Sequence, residues 1–249
     1  MIYILLPAYN EEKAIWKLIE RVINLRKNSN LCLSILVVDD GSTDNTAKVL
    51  DNFKKNISIE VISHEKNKGL GEALKSGILF LLTKLADDDI IVTMDSDNTH
   101  NPSLIPLMAN EIGKGCDIVI ASRFLGGGKE IGVPNLRKFL SRCARMIFNL
   151  LFQTRNVTDY TSGYRAFKAA VIKKAFEKYK SNLIEESGFT ATVELLLKLR
   201  SIGARINEVP LVLRYDFKKG KSKLKIVRTV FRYLYIIVKF SLSKKAGKP

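Results

Sequence analysis

The chain has 249 residues, 46% hydrophobic and 27% charged. That composition excludes a disordered chain and is long enough to bury a core without staples. The net charge of +16 is unevenly placed: residues 1–120 carry 13 basic and 17 acidic groups, whereas residues 121–249 carry 28 and 8. A basic second half points to a polyanionic partner, either nucleic acid, anionic lipid or a phosphorylated substrate.

The first apolar run, 2–6, has no basic flank and stops at Pro7, so it reads as a strand and not a signal peptide. Further short β-branched runs at 33–38, 59–62, 90–94 and 118–121 predict four more strands. Between the first two, Ile15, Leu18, Ile19, Val22 and Leu25 recur at helical spacing, with Asn10 placed to cap the helix. A second helix is expected from about Asp44, burying Ala47, Leu50 and Phe53, and a third over about 71–82. This order implies an α/β fold with a mostly parallel, helix-covered sheet, whose ligands bind outside the carboxyl ends of the strands. Cys32, Cys116 and Cys143 form no C-x-x-C or paired spacing, which argues against zinc or a disulfide framework and fits a reducing, cytosolic environment.

Beyond residue 121 the pattern changes. Gly126, Gly127 and Gly128 mark a loop that could hinge a lid. Helices are expected over about 136–152, 168–180 and 189–201, with a polar segment at 158–165 between the first two. Residues 204–213 read as an edge or irregular strand holding Pro210. A basic loop at 218–225 leads to a last helix over about 224–242. Arg228, Arg232 and Lys239 interrupt that helix, so no stretch approaches the ~20 apolar residues of a membrane span. Val230, Phe231, Leu234, Ile237 and Val238 share one face of it, giving a basic amphipathic helix suited to lie in a membrane surface. The expected organisation is one catalytic domain, 1–223, with 1–121 and 122–223 as its halves, followed by the helix and tail at 224–249.

Three polar clusters follow predicted strands: Pro7-Ala8-Tyr9-Asn10-Glu11, Asp39-Asp40-Gly41-Ser42-Thr43-Asp44 and Asp95-Ser96-Asp97. Two carboxylates at the ligand edge of a sheet repel unless a cation joins them, and hard oxygen donors suit Mg²⁺ or Mn²⁺. Asp87-Asp88-Asp89, at the opposite edge, reads as a solvated turn. Gly69-Leu70-Gly71 lacks the third small residue of a dinucleotide fingerprint, and Tyr215 replaces the first glycine of a Walker loop ending at Gly220-Lys221-Ser222. His64 and His100 are too few and too scattered for a histidine triad or zinc site.

The first half resembles family 2 glycosyltransferases with a GT-A nucleotide-diphospho-sugar fold. Pro7–Glu11, Val37-Val38-Asp39-Asp40-Gly41-Ser42, Asn67-Lys68-Gly69-Leu70-Gly71 and Asp95-Ser96-Asp97 carry the likeness. The second half is similar to the dolichyl- or polyprenyl-phosphate hexose synthases (dolichol-phosphate mannose synthase-like). Here the matching residues are Ala121-Ser122-Arg123-Phe124, Arg137 with Ser141, Asp159-Tyr160-Thr161-Ser162-Gly163-Tyr164-Arg165, Glu194-Leu195-Leu196 and Gly220-Lys221-Ser222-Lys223-Leu224. The resemblance implies that Pro7, Tyr9, Glu11 and Asp39 line the nucleotide pocket, with Asp39 or Asp40 reading the base edge. It implies that Asp95 and Asp97 hold the metal. Thr99 stands where the family often has Gln as a further ligand, and its shorter side chain suggests a water-mediated contact. Arg123, Arg137 and Ser141 would bind the acceptor phosphate; 137 and 141 lie one helical turn apart on one face, and Arg145 continues the stripe. The family's arginine before G-x-S-K is replaced by Phe217, leaving Lys218, Lys219 or Arg214 as substitutes.

The implied activity is metal-dependent, inverting transfer of a hexose from a nucleotide-sugar donor to a polyprenyl or dolichyl phosphate, with Asp97 and Arg123 closest to the chemistry. Mannose from GDP-mannose is the first choice. The alternatives are glucose from UDP-glucose or a hydroxyl acceptor, and, distantly, a nucleic-acid-binding protein. Trp16 is the only tryptophan, which excludes the processive branch with its Q-x-x-R-W element. The aromatics near the basic runs follow an apolar helix pattern and not a stacking strand, so no nucleic-acid partner is expected. The implied location is peripheral, on the cytoplasmic face of a membrane with an anionic surface, handing product to a separate membrane protein.

Overall fold

The computed structural model describes residues 1–219 and 226–245. The Gly220–Leu224 motif, most of the basic loop and the expected boundary at 223/224 lie outside the described residues.

Seven strands form one sheet: β1 (Ile2–Ala8), β2 (Leu33–Asp39), β3 (Ile59–Ser63), β4 (Ile90–Thr93), β5 (Ile118–Ser122), β7 (Arg165–Lys168) and β8 (Ile206–Pro210), in the order β3-β2-β1-β4-β7-β5-β8. Neighbours are parallel except at β7, which runs antiparallel to both β4 and β5. Helices α1 (Ile15–Lys27), α2 (Thr46–Asp51) and α4 (Ile105–Gly113) cover one face. Helices α3 (Leu70–Leu82), α6 (Ala169–Tyr179) and α7 (Thr190–Ser201) cover the other, joined by parts of α5 (Asn135–Phe152) and α8 (Ile226–Lys245).

The strands obey the two-residue period: Ile4, Leu6, Ile35 and Val37 face α1, whereas Leu5, Leu36 and Val38 face α3. Both faces are covered, so β2 reads as the near-continuous apolar run expected of a buried parallel strand. Gly77 lets α3 approach closely, because a Cβ there would overlap the Leu5 side chain.

The five predicted N-terminal strands and the α1 apolar stripe are present. Several details differ. Asn10 does not cap α1; it has φ 52°, and its Oδ1 accepts from Thr43 N at 2.8 Å, tying the loop after β1 to the loop after β2. In α2 the buried side chains are Thr46 and Leu50, while Ala47 is exposed and Phe53 half-buried. The acidic turn is not wholly solvated: buried Asp89 pairs with the N-terminal ammonium at 2.9 Å and accepts from Ala86 N at 2.8 Å. The polar segment before α6 ends in β7, and 204–213 divides into β8 and β9 (Val212–Arg214), the latter pairing with β6 (Lys129–Ile131) in a small parallel sheet.

β7 and β8 belong to the second half of the chain yet are hydrogen-bonded into the same sheet as β1–β4. Helix α8 packs on the body through Tyr233, Ile236, Ile237 and Phe240, and Lys239 reaches Glu185 at 3.2 Å. Its opposite face, with Phe231, Leu234, Tyr235 and Val238, is exposed. Helix α5 is stranger still: Leu136, Phe139, Met146 and Leu150 are 62%, 63%, 66% and 70% exposed, so much of its apolar stripe faces outward. Among the described residues no helix is long and apolar enough to cross a membrane.

Candidate active site

The carboxyl ends of β1, β2 and β4 lie side by side, as the registers Ala8↔Asp39 and Leu5↔Thr93 require. They open into a cleft of about 1040 Å³. One wall is the end of β1 with the loop after it, carrying Pro7, Tyr9 and Glu11, and another is the N-terminus of α3. Asp95, Asp97 and Thr99 form the floor, onto which Lys218 reaches; Arg137 and Ser141 line the cleft from α5.

The floor is braced from behind. Ser96 Oγ donates to the Pro7 carbonyl at 2.6 Å, Asp95 N donates to His100 Nδ1 at 3.1 Å, and the His100 ring stacks on Tyr164 at 5.0 Å. Asp97 Oδ1 accepts from Thr99 N at 3.1 Å and Thr99 Oγ1 at 2.6 Å, while its Oδ2 accepts from the Lys218 ammonium. Thr99 thus turns its hydroxyl onto Asp97 and orients that carboxylate. The two aspartates are held differently. Burial pushes the Asp95 carboxyl up, reinforced by the Asp97 charge, with His100 opposing. Burial also opposes ionisation of Asp97, but the Lys218 charge and the hydrogen bonds from Lys218 and Thr99 outweigh it and bring its pKa down.

A divalent cation fits these residues on the chemistry of the donors. Mg²⁺ and Mn²⁺ take hard oxygens and are commonly bound by one or two carboxylates, with substrate phosphates and water completing the shell. Asp95 and Asp97 supply that minimum, and among the described residues no group of three or more His, Cys, Asp or Glu side chains is arranged as a self-sufficient cage. That a lysine ammonium already sits on Asp97 shows that the position favours positive charge.

Two of the expected nucleotide readers are engaged in structure. Asp40 lines the cleft, but its Oδ1 accepts from Lys68 N at 2.9 Å and its Oδ2 from Gly69 N at 2.7 Å, fixing the loop before α3. Its Oδ1 also lies 2.7 Å from His64 Nδ1, whose Nε2 lies 2.9 Å from Ser76 Oγ. The histidine set aside in the sequence therefore joins an Asp–His–Ser row that ties the loop after β2 to α3. Asp39 does not line the cleft; its Oδ1 accepts from Ser42 N at 3.0 Å and tightens the turn after β2.

Arg123 lies on the cleft wall beyond β5, anchored by Asp159. Its Nε and Nη2 donate to the two Asp159 oxygens, both at 2.8 Å, and Nη2 also reaches Thr161 Oγ1 at 2.7 Å. Burial works against the Arg123 charge, but Asp159 and Glu130 raise its pKa overall; the same pairing overcomes burial to lower that of Asp159. Glu208, on β8, accepts from Thr158 N, Thr158 Oγ1 and Asp159 N at 2.6 to 2.8 Å, holding the polar segment in place.

Arg137 and Ser141 both face the cleft from α5, one turn apart. Arg137 Nη1 donates to Tyr215 Oη at 2.6 Å. Arg145 leaves the stripe and stacks on Phe124 at 4.9 Å. Lys219 is exposed and outside the cleft. Phe217 is covered by the Arg214 guanidinium at 3.9 Å, which also pairs with Asp216 at 2.7 Å. Sequence reasoning assigned no role to Asp159, Glu208, Tyr215 or Ser187, although all four build or line the site. The rarity of acids in a basic half was the available signal for the first two.

The family model for glycosyl transferase family 2 matches residues 3–178. A dolichol-phosphate mannosyltransferase of Pyrococcus furiosus is 34% identical over 232 residues, which are 93% of this chain and 61% of that protein. An undecaprenyl-phosphate mannosyltransferase of Micrococcus luteus is 30% identical over 221 residues, covering 88% of this chain and 86% of that one. The crystal structure of glucosyl-3-phosphoglycerate synthase from Mycobacterium tuberculosis, in complex with Mn²⁺, UDP and phosphoglyceric acid, superimposes with a TM-score of 0.68 at 22% identity, over 100% of this chain and 79% of that one. At that identity the likeness shows the fold, which is GT-A.

Proposed function

The chain belongs to glycosyl transferase family 2 and is a glycosyltransferase; we propose that it transfers a hexose, mannose from GDP-mannose, to the phosphate of a polyprenyl or dolichyl phosphate. The observation that carries this reading is that α5 brings Arg137 and Ser141 into the cleft that holds Asp95 and Asp97. A cation site and an anion site thus share one chamber. The mannosyltransferases of P. furiosus and M. luteus support the choice of sugar and of acceptor class.

In this reading Asp95 and Asp97 hold Mg²⁺ or Mn²⁺, which when bound neutralises charge on the leaving diphosphate. Pro7, Tyr9 and Glu11 form the nucleotide wall, while Asp39 and Asp40 act on the nucleotide through the loops they tighten. Arg137 and Ser141 bind the acceptor phosphate, and Arg123, held by Asp159, adds positive potential beside them. A phosphate, with a second pKa of ~6, is already anionic near neutrality, so the attacking oxygen needs no general base. The remaining tasks are orientation and charge neutralisation in a sheltered cleft. Direct attack on the anomeric carbon inverts it.

Helices α5 and α8 both line this cleft and both carry outward apolar side chains. Lying on a membrane, they would bring a lipid phosphate to Arg137 while its hydrocarbon stays in the bilayer. We therefore assign a peripheral location on the cytoplasmic leaflet, with the product passed to a separate membrane protein. The catalytic unit is assigned to 1–223, its halves supplying the donor and acceptor sides, and the anchor to 224–249.

The test is transfer from labelled GDP-mannose or UDP-glucose to polyprenyl phosphate with Mg²⁺ or Mn²⁺. Labelled lipid only from GDP-mannose is expected; transfer only to hydroxyl acceptors overturns the acceptor. Arg137→Ala should raise the KM for the lipid phosphate roughly tenfold or more, the value of a charged hydrogen bond. An unchanged acceptor KM and kcat would remove Arg137 from the site.

A further inference from the structure

The segment before the last helix folds back over the floor of the cleft. Arg214 N donates to the Thr99 carbonyl at 3.1 Å, and Lys218 N donates to the Tyr215 carbonyl at 3.1 Å. This drape delivers the Lys218 side chain, only 13% exposed, onto Asp97 Oδ2. Asp97 is itself 10% exposed, so the pair is largely withdrawn from water. Tyr215, whose ring lies 5.7 Å from Nζ, accepts Arg137 Nη1 through its hydroxyl, so the same short turn touches the floor and the acceptor side.

We propose that Lys218 is a tethered cation that competes with the metal for Asp97 and gives the carboxylate up when the donor diphosphate arrives. The inference rests on the metal-assisted reading above. Its physical basis is charge balance. Two neighbouring carboxylates repel each other unless a cation joins them, and Lys218 supplies one from the chain itself. A metal entering alone must break a largely buried ion pair and leave the ammonium without its partner, which is costly. A metal entering with a diphosphate brings anionic oxygens that can accept the displaced ammonium. Metal and nucleotide therefore bind synergistically, and Lys218 becomes a positioning residue on the diphosphate side of the site. The arrangement guards Asp97 against idle metal binding and couples cleft loading to movement of the turn that carries Tyr215.

Mn²⁺ binding, read as free ion by electron paramagnetic resonance, tests this with the full-length protein. For the native chain, Mn²⁺ alone should bind at least tenfold more weakly than Mn²⁺ in the presence of GDP or UDP. Lys218→Met should tighten binding of Mn²⁺ alone about tenfold, in line with the loss of one charge-assisted competitor, and shrink the synergy. Lys218→Arg should keep the native behaviour, and the tightening in Lys218→Met is a gain that loss of a merely structural contact would not produce. Equal Mn²⁺ affinity in the native chain and Lys218→Met, with nucleotide-dependent Mn²⁺ binding intact, overturns the role of Lys218 but leaves the metal site standing. Absence of Mn²⁺ binding in every variant, with either nucleotide, overturns both.

Discussion

Asp159 shows what a buried charge costs when its partner is removed. Its two oxygens hold Arg123 by a pair of 2.8 Å bonds, and its side chain has no solvent exposure. Asp159→Asn would take away the bidentate partner of the guanidinium and leave it only Glu130, 3.5 Å away, as a carboxylate neighbour, so a loss of about 3 kcal/mol in urea-unfolding stability is expected. The pH dependence follows the lowered pKa of Asp159. Its stabilising contribution is complete above the unfolded value of about 3.9 and disappears as pH falls through the lower folded value. Unfolding measured between pH 5 and 2 should therefore show a shallower acid loss in Asp159→Asn than in the native chain. Parallel acid limbs would show that the pair contributes nothing. At this scale the sequence was legible where residue type and position after a strand settled the outcome: Asp95 and Asp97 lie on the floor. It was not legible for Asp40, because a carboxylate that accepts two backbone N–H groups looks, in sequence, like one that faces a ligand. Glu208 escaped notice because its partners lie some 50 residues away in the chain.

Elements were legible where a single periodicity ruled. The strands β1, β2 and β5 and the stripe of α1 follow from apolar spacing alone. β7 was not, because its four residues, Arg165–Lys168, include a fully buried arginine whose Nη2 donates to the Tyr160 carbonyl at 2.7 Å. A strand built around a buried charge does not read as β. Helix α5 shows the opposite failure: its stripe was visible, but a stripe does not say whether core or another surface covers it. The exposure of Phe139, Leu150 and Phe231 makes the membrane assignment testable without harming the fold. Replacing all three by Ser should leave the melting temperature nearly unchanged and reduce co-sedimentation with vesicles at least tenfold, given about 1.5–3 kcal/mol for each large side chain that becomes fully buried. Removing α8 would be a poorer test, because Ile236 is fully buried in the core and its loss would destabilise the body. Vesicle binding by the triple variant equal to that of the native chain would remove these faces from the membrane assignment.

At the scale of the molecule, the charge division and the fold division do not coincide. The acidic half supplies β1–β4 and the carboxylates of the floor, yet β7 from the basic half separates β4 from β5 in the same sheet. The cleft is therefore assembled across the sequence boundary, which composition could suggest but could not place. Among the 28 basic groups in the basic half, Arg123, Lys198, Arg214, Lys218, Arg232 and Lys239 pair with carboxylates. On the proposed membrane assignment, Lys138 and Arg142, which stand on α5 beside its outward apolar side chains, are basic groups placed to meet an anionic surface. Each basic group near an anionic surface contributes about 1 kcal/mol, and the field fades within a Debye length of ~10 Å at 0.1 M salt and ~3 Å at 1 M. Binding to vesicles rich in phosphatidylserine should thus fall steeply between those salt concentrations. A residue of binding set by the apolar faces should persist, because salt does not screen hydrophobic burial. Lys138→Gln with Arg142→Gln should flatten the salt dependence and leave that residue intact, whereas the serine variants should abolish it. Affinity independent of salt and equal on neutral vesicles would mean that the basic half plays no part in reaching the membrane, and that its unpaired charge serves only solubility.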